Sequence, residues 1–128
     1  MLPRLAYIKV LDASGAGWVQ TFHIYRGSFH KYAQVGDFIK GSVKRIAFYP
    51  RLRRGRRYRP LRFGYRVRGL ITQTRHPVRF LDGTRCVSFQ NTVALIRKRG
   101  TFRSKFVGGP LLRKIRRPQY EALFRAYV

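Results

Sequence analysis

Apolar and polar residues alternate in short runs along most of this chain, and a period of two predicts strands. Leu5–Val10 reads as a first strand, closed by the turn Asp12-Ala13-Ser14-Gly15. Trp18–Tyr25 alternates in its turn, and the phase sets Trp18, Phe22 and Ile24 on one face with Thr21, His23 and Tyr25 on the other. A loop from Arg26 to Asp37 leads to a strand over Phe38–Phe48, whose phase slips near Arg45 and so predicts a bulge or bend. From Arg62 to Ile71 the alternation sets Phe63, Tyr65, Val67, Gly69 and Ile71 against Arg62, Arg66 and Arg68. One strand then has an apolar side and a cationic side, with Phe63 and Tyr65 expected in the core. Asp82-Gly83 is a hairpin signal between Gly69–Gln73 and Arg85–Gln90, and Thr92–Ile96 is a further short strand.

Near the C-terminus the period changes. Pro110 and Pro118 each fit the first position of a helix, where a missing N–H costs nothing. Tyr120, Leu123, Phe124 and Tyr127 then recur at helical spacing as one apolar stripe. The pattern predicts a single mainly β domain over 1–128, with a small barrel and ribbon in 1–108 and two short helices in 109–128. Ile8, Val10, Phe22, Ile24, Ile39, Val43, Val67 and Ile71 are the expected barrel interior.

Composition turns this scaffold toward a partner. At 128 residues and 45% hydrophobic, the chain can bury a core and is not a disordered tail. Its 29 Lys and Arg face only four acids, a formal net charge of +25. Such a molecule repels itself and seeks a polyanion, with nucleic acid ahead of an anionic membrane surface. Arginine outnumbers lysine 22 to 7, and its planar fork suits phosphate contacts and stacking on bases. A solvated charged face mixes signs, yet fourteen Lys or Arg and no acid lie between Asp37 and Asp82. The imbalance continues through Arg97-Lys98-Arg99, Arg103, Lys105 and Arg113–Arg117. Arg51–Arg59 carries six arginines in nine residues and reads as a loop between Pro50 and Pro60, with Tyr58 placed to stack on a base.

Catalysis finds no support. Asp12, Asp37 and Asp82 lie beside glycines in turns, where an Asp caps its own backbone, and Glu121 suits the first turn of the last helix. No Ser-His-Asp spacing, Cys–His pair or phosphate-binding glycine loop is present. The lone Cys86 excludes an internal disulfide and reads as a small buried hydrophobe in a strand. His23, His30 and His76 lack metal-ligand spacing, and His23 is expected to be hydrogen-bonded or to face RNA. Gly108-Gly109-Pro110 reads as a loop-to-helix joint. No catalytic residue, metal or cofactor is expected, no apolar run spans a membrane, and no removable leader is expected before Leu5.

Several blocks resemble one family. Asp12-Ala13-Ser14-Gly15-Ala16 is similar to an Asp-Asn-Thr-Gly-Ala turn, and Tyr32-Ala33-Gln34-Val35-Gly36-Asp37-Phe38-Ile39-Lys40 with Val43-Lys44 to a Tyr-Ala-x-Ile-Gly-Asp-x-Ile block. Gly69-Leu70-Ile71, Asp82-Gly83, Phe89, Asn91-Thr92 and Leu95-Ile96 follow a ribbon signature, and Lys105-Phe106-Val107-Gly108-Gly109-Pro110 resembles Arg-Ile-Phe-Gly-Pro. In this order they resemble the L-fourteen family of universal large-subunit ribosomal proteins. Thr72 stands where a third aliphatic is usual, Leu95 where valine is, and Ala47–Arg62 does not align closely.

The resemblance implies a five-stranded OB-like β-barrel with a projecting β-ribbon and two short C-terminal helices, and no enzyme. It implies binding to large-subunit rRNA and an intersubunit bridge to small-subunit rRNA. Ribosomal proteins L-three and L-nineteen would be neighbours, and a ribosome-silencing factor a C-terminal partner.

Charge and resemblance together nominate an RNA-binding set of Lys9, Arg26, Lys31, Tyr32, Lys40, Lys44, Arg45, Arg51, Arg53, Arg54, Arg56, Arg57, Tyr58, Arg59, Arg66, Arg68, Arg75 and Arg79. A bridge or partner surface would use Arg97, Lys98, Arg99, Arg103, Ser104, Lys105, Arg113 and Lys114. The competing reading is a free OB-type single-strand RNA-binding protein or RNA chaperone. A membrane-active cationic protein and a nuclease rank lower, for want of a long amphipathic helix and of acids. The arginine-rich, acid-poor composition points to a mitochondrial ribosome, with bacterial cytoplasm and plastid as alternatives.

Overall fold

A computed structural model describes residues 1–27, 30–47, 61–104 and 106–115. The strands are β1 (Leu2–Pro3), β2 (Tyr7–Val10), β3 (Ala16–Ile24), β4 (Tyr32–Ala33), β5 (Phe38–Ile46), β6 (Arg66–Gln73), β7 (Val78–Arg79), β8 (Arg85–Cys86) and β9 (Thr92–Ile96). Five of them, in the order β2-β3-β5-β6-β9, close into a barrel, while β1-β4 and β7-β8 form separate two-stranded ribbons. Closure comes from the parallel pairing of β2 with β9, and the other barrel pairs are antiparallel.

Ile8, Val10, Ile24, Ile39, Val43, Val67 and Ile71 are buried as expected. Phe22 is not: it is 41% exposed, as Trp18 is at 38%, whereas Val19 and Thr21 are sealed inside. Register shifts explain the inverted phase, since β3 slips against β5 between Ala16 and Trp18, between Trp18 and Val19, and between Thr21 and His23. At the last slip Thr21 pairs with Gly41 and His23 with Lys40, so Phe22 is the extra residue of a bulge. The expected irregularity near Arg45 is the partner of the first slips, with Trp18 opposite Arg45 and Val19 opposite Val43. The sealed Thr21 hydroxyl is within reach of the Pro3 and Ala6 carbonyls, each at 3.3 Å.

Phe63 and Tyr65 also leave the core. Gly64 turns the chain at a φ of 77°, the β6 strand starts only at Arg66, and Phe63 is 69% exposed. The strand expected over Leu5–Val10 is β2 and likewise starts late, at Tyr7 rather than Leu5, whose φ of 65° is off the extended range. Asp82-Gly83 is the tip of a hairpin, with Gly83 at a φ of 85°. Its arms, however, are the short β7 and β8, while residues 69–73 pair in the barrel with β5 and β9.

All of Thr92–Ile96 is buried, with no outward alternation, because the chain after it returns over the barrel. Ile96 bridges Phe102, Asp12 bridges Val107, and Gly108 N–H donates to the Leu11 carbonyl at 2.9 Å. Leu111, Leu112 and Ile115 complete this cover. The helix expected from Pro110 does not form over Pro110–Ile115, where a single turn closes by Ile115 N–H donating to Leu112 O at 2.9 Å. The Pro110 carbonyl, which a helix would offer to the fourth residue onward, accepts instead from Gln73 Nε2 at 3.0 Å. The second expected helix, with Tyr120, Glu121, Leu123, Phe124 and Tyr127, lies outside the described residues.

Thr72, the departure from an aliphatic position, is offset by a buried partner: its hydroxyl lies 2.7 Å from that of Thr92. Cys86, on β8, is half-buried and packs against the core cluster.

Candidate nucleic-acid interface

The outer wall of β2, β3, β5 and β6 collects the charged side chains into rows, because directly paired residues share a face. Lys9, Trp18 and Arg45 form one row. Tyr7, Gln20, Ser42 and Arg66 form the next. His23, Lys40 and Arg68 form the third. Five of the nominated cations, Lys9, Lys40, Arg45, Arg66 and Arg68, therefore meet here, and Lys44, exposed beside Arg45, is a sixth. Lys40 and Arg68 are directly opposite, a like-charge pair that costs stability unless an anion lies over it.

Rings are set among these cations. The Arg68 guanidinium sits 5.7 Å from the Tyr25 ring, and the Lys44 ammonium 5.9 Å from Phe63. His23 meets Tyr25 edge-on at 4.9 Å. Tyr7, Trp18, Phe22, Tyr25, Phe63 and Tyr65 are all exposed. None of these six is in the nominated set: the alternation puts Trp18, Phe22, Phe63 and Tyr65 on core faces, while Tyr25 falls on the opposite face with Thr21 and His23. The signal that could have found them is the crowding at Thr21-Phe22-His23, where strict alternation cannot seat both Val19 and Ile24 inside.

Among the described residues no acid lies in these rows. Asp37 accepts from Gln34 N–H at 2.7 Å and lies 3.7 Å from Arg26, so Arg26 is engaged there. Asp82 accepts from the Thr84 N–H and hydroxyl at 3.0 and 2.7 Å, and these bonds hold its carboxyl below the ordinary value. Asp12 accepts from Ser14 N–H at 2.9 Å and Leu95 N–H at 2.6 Å, tying the first turn to β9. Burial holds the Asp12 carboxyl above its ordinary value, against those two bonds and the nearby Arg103. The turn-capping roles expected for these three acids are therefore what the structure shows.

The remaining nominees are dispersed. Lys31 and Tyr32 are exposed at β4, where Tyr32 pairs with Pro3. Arg75 is taken up by structure, its N–H donating to Asn91 Oδ1 at 2.9 Å and its Nε to Phe89 O at 2.8 Å. Arg79 pairs with Arg85 on the hairpin. Arg97, Lys98 and Arg99 are exposed in the turn leaving β9, closed by Arg97 N–H to Thr101 O at 2.8 Å. Arg103 is half-buried with its guanidinium 5.7 Å from the Tyr65 ring. Ser104 Oγ accepts from Phe106 N–H at 3.3 Å, and Arg113 and Lys114 are exposed in the turn after Leu112. Arg51, Arg53, Arg54, Arg56, Arg57, Tyr58, Arg59 and Lys105 lie outside the described residues.

Among the described residues no three His, Cys, Asp or Glu side chains gather as a metal site. A cleft of about 490 Å³ beside Gln73 and Phe89 has Cys86 as its sole titratable lining group among the described residues. No described helix is long and apolar enough to cross a membrane.

Comparison with known proteins bears on the family. The chain is 27% identical over 124 residues to the large ribosomal subunit protein uL14m of Tetrahymena pyriformis, covering 97% of each chain. It is 31% identical over 120 residues to the large ribosomal subunit protein uL14 of Mesomycoplasma hyopneumoniae, covering 94% of this chain and 91% of the relative. The counterpart in Carsonella ruddii is 26% identical over 123 residues, covering 96% of this chain and 93% of the relative. The family described as ribosomal protein L14p/L23e matches residues 1–126, nearly the full length, and the chain belongs to that family.

Proposed function

We propose that the chain is a structural constituent of the large ribosomal subunit that holds rRNA on the cationic wall of its barrel. Its family is one of ribosomal proteins and not of enzymes. The observation that carries the reading is the wall itself, free of acids among the described residues, with Lys9, Lys40, Lys44, Arg45, Arg66 and Arg68 on paired strands of a closed barrel. Neutralising several phosphates releases counterions, so binding is strong and salt-dependent. The rigid barrel sets the register of the charges, which suits shape and 2′-hydroxyl contacts in A-form RNA.

The second nominated set, Arg97, Lys98, Arg99, Arg103, Ser104, Arg113 and Lys114, is proposed to face away from this rRNA. There it would meet small-subunit rRNA in an intersubunit bridge, or a neighbouring protein of the L-three or L-nineteen type. A ribosome-silencing factor would use the same C-terminal side. The proposed compartment is the mitochondrion, supported by the arginine-rich, acid-poor composition.

Sedimentation of a native lysate through low- and then high-salt gradients tests the assignment. A constituent of the subunit stays with it through the high-salt wash, whereas a free RNA chaperone moves to the top. Loss from the subunit at high salt would overturn the reading. Fractionation of the same cells tests the compartment: recovery with mitochondria supports it, and recovery with cytoplasm or plastid overturns it.

A further inference from the structure

The wall carries more than charge. Two of its aromatic side chains, Trp18 and Phe22, are exposed at the same bulges that break the alternation of β3. Trp18 points outward at one slip and Phe22 at another, and His23 and Tyr25 continue the row toward Lys40 and Arg68. Four residues separate Trp18 from Phe22, roughly 13 Å along a strand at about 3.3 Å per residue. A packed interior has no use for these rings, since Val19, Thr21 and Ile24 already fill the inner side of β3.

We propose that this wall seats an unpaired stretch of RNA, with Trp18 and Phe22 stacking on bases while Arg66, in the row between them, and Lys40 and Arg68, beside Phe22, hold the backbone. The inference rests on the rRNA-binding reading and narrows it from RNA in general to a single-stranded segment. Three observations carry it. A duplex hides the faces of its bases, so exposed rings gain little from it beyond area, whereas splayed bases stack on aromatic side chains. The rings alternate in space with cations, the arrangement that tracks a flexible polyanion with both backbone and base contacts. Among the described residues the wall bears cations and no acid, which suits a negatively charged occupant.

The chain contains a single tryptophan, so Trp18 is its own reporter. Purified full-length chain is titrated with a single-stranded oligouridine or oligoadenine, with a duplex RNA of the same charge, and with an acidic peptide. Indole fluorescence and binding of labelled RNA are followed together. Stacking on the indole quenches it, so single strands should quench at saturation and the duplex should bind with little quenching. In a second arm Trp18→Ala and Phe22→Ala should each weaken single-strand binding about 5- to 100-fold. Duplex binding should change less than about twofold, and Trp18→Phe should retain most single-strand affinity.

Equal quenching by duplex and single strand, or single-strand binding without quenching, would overturn the inference. Quenching by the acidic peptide alone would overturn it in favour of a protein partner. The wild-type titration needs no variant to fold, and the duplex affinities of the variants report on whether they do. If the chain survives the high-salt sedimentation but shows no strand preference, this inference fails while the ribosomal assignment stands. If it leaves the subunit yet prefers single strands, the reverse holds.

Discussion

Asp12 is where a single side chain does most for the fold. Its carboxylate joins the Asp12–Gly15 turn to β9 by accepting from Ser14 and Leu95, and it is buried. Asp12→Ala strands both donors and should cost about 2–4 kcal/mol, read as a lower urea midpoint. The pH dependence has a definite sign. Because burial raises its folded-state value above the ordinary 3.8, the protonated form is favoured by folding. That contribution is complete below the ordinary value and is lost as pH rises through the raised one. The stability of wild type relative to Asp12→Asn should therefore improve as pH is lowered from about 7 to about 3, and urea midpoints at the two values check it. Gly41 makes a second point about space. A Cβ there would meet Val19 Cγ1 and lie 2.7 Å from the Gln20 carbonyl, inside a barrel with no slack. Gly41→Ala should destabilise by about 1–3 kcal/mol through overpacking, measured by thermal melting. Asp12 is legible in the sequence as a turn residue from the run Asp12-Ala13-Ser14-Gly15, but its bond to Leu95 crosses 83 positions and has no local signature.

At the scale of elements, legibility follows local chemistry. β9 is legible with its observed bounds, and the Asp82-Gly83 turn and the irregularity near Arg45 also carry local signals. What escapes is the phase of β3 and the fate of Phe63 and Tyr65, because hydrophobicity alone assigns a ring to the interior. Bulges overrule that assignment by giving two successive residues, Phe22 and His23, the same outward side. The helix at Pro110 fails for a related reason: Leu111 and Leu112 are both buried against the barrel, and tertiary packing takes the backbone that a helix would have used. The cationic side of β6 is legible, since Arg66 and Arg68 flank a buried Val67. Arg66→Ala with Arg68→Ala should leave the barrel folded and weaken RNA binding. It should also flatten the salt dependence by about one unit of slope for each phosphate that is no longer neutralised. Circular dichroism with filter binding at several salt concentrations decides it, and unfolding with unchanged affinity per folded molecule would sink the assignment.

For the whole molecule the deciding quantity is the field of a net +25 on 128 residues. Composition alone makes a polyanionic partner legible, because no arrangement of four acids can neutralise 29 cations. The three described acids are moreover engaged in turns at Asp12, Asp37 and Asp82, so the wall has little internal counter-charge. A fold built this way is complete in connectivity but carries uncompensated repulsion until its partner binds. Free chain should consequently melt at a higher temperature as salt rises from about 0.05 to 0.5 M, since the Debye length falls from over 10 Å to a few ångströms. Relief of about 1 kcal/mol corresponds to about 4 °C for a chain of this size. RNA should raise the melting temperature at low salt by mass action, and added salt should erode that gain. The two effects of salt thus have opposite signs in the free and bound protein, and differential scanning of both across one salt series measures them. A free chain whose melting temperature ignored salt would mean that its cations already have partners within the fold, and the reading of the wall as a site for an external polyanion would fall with it.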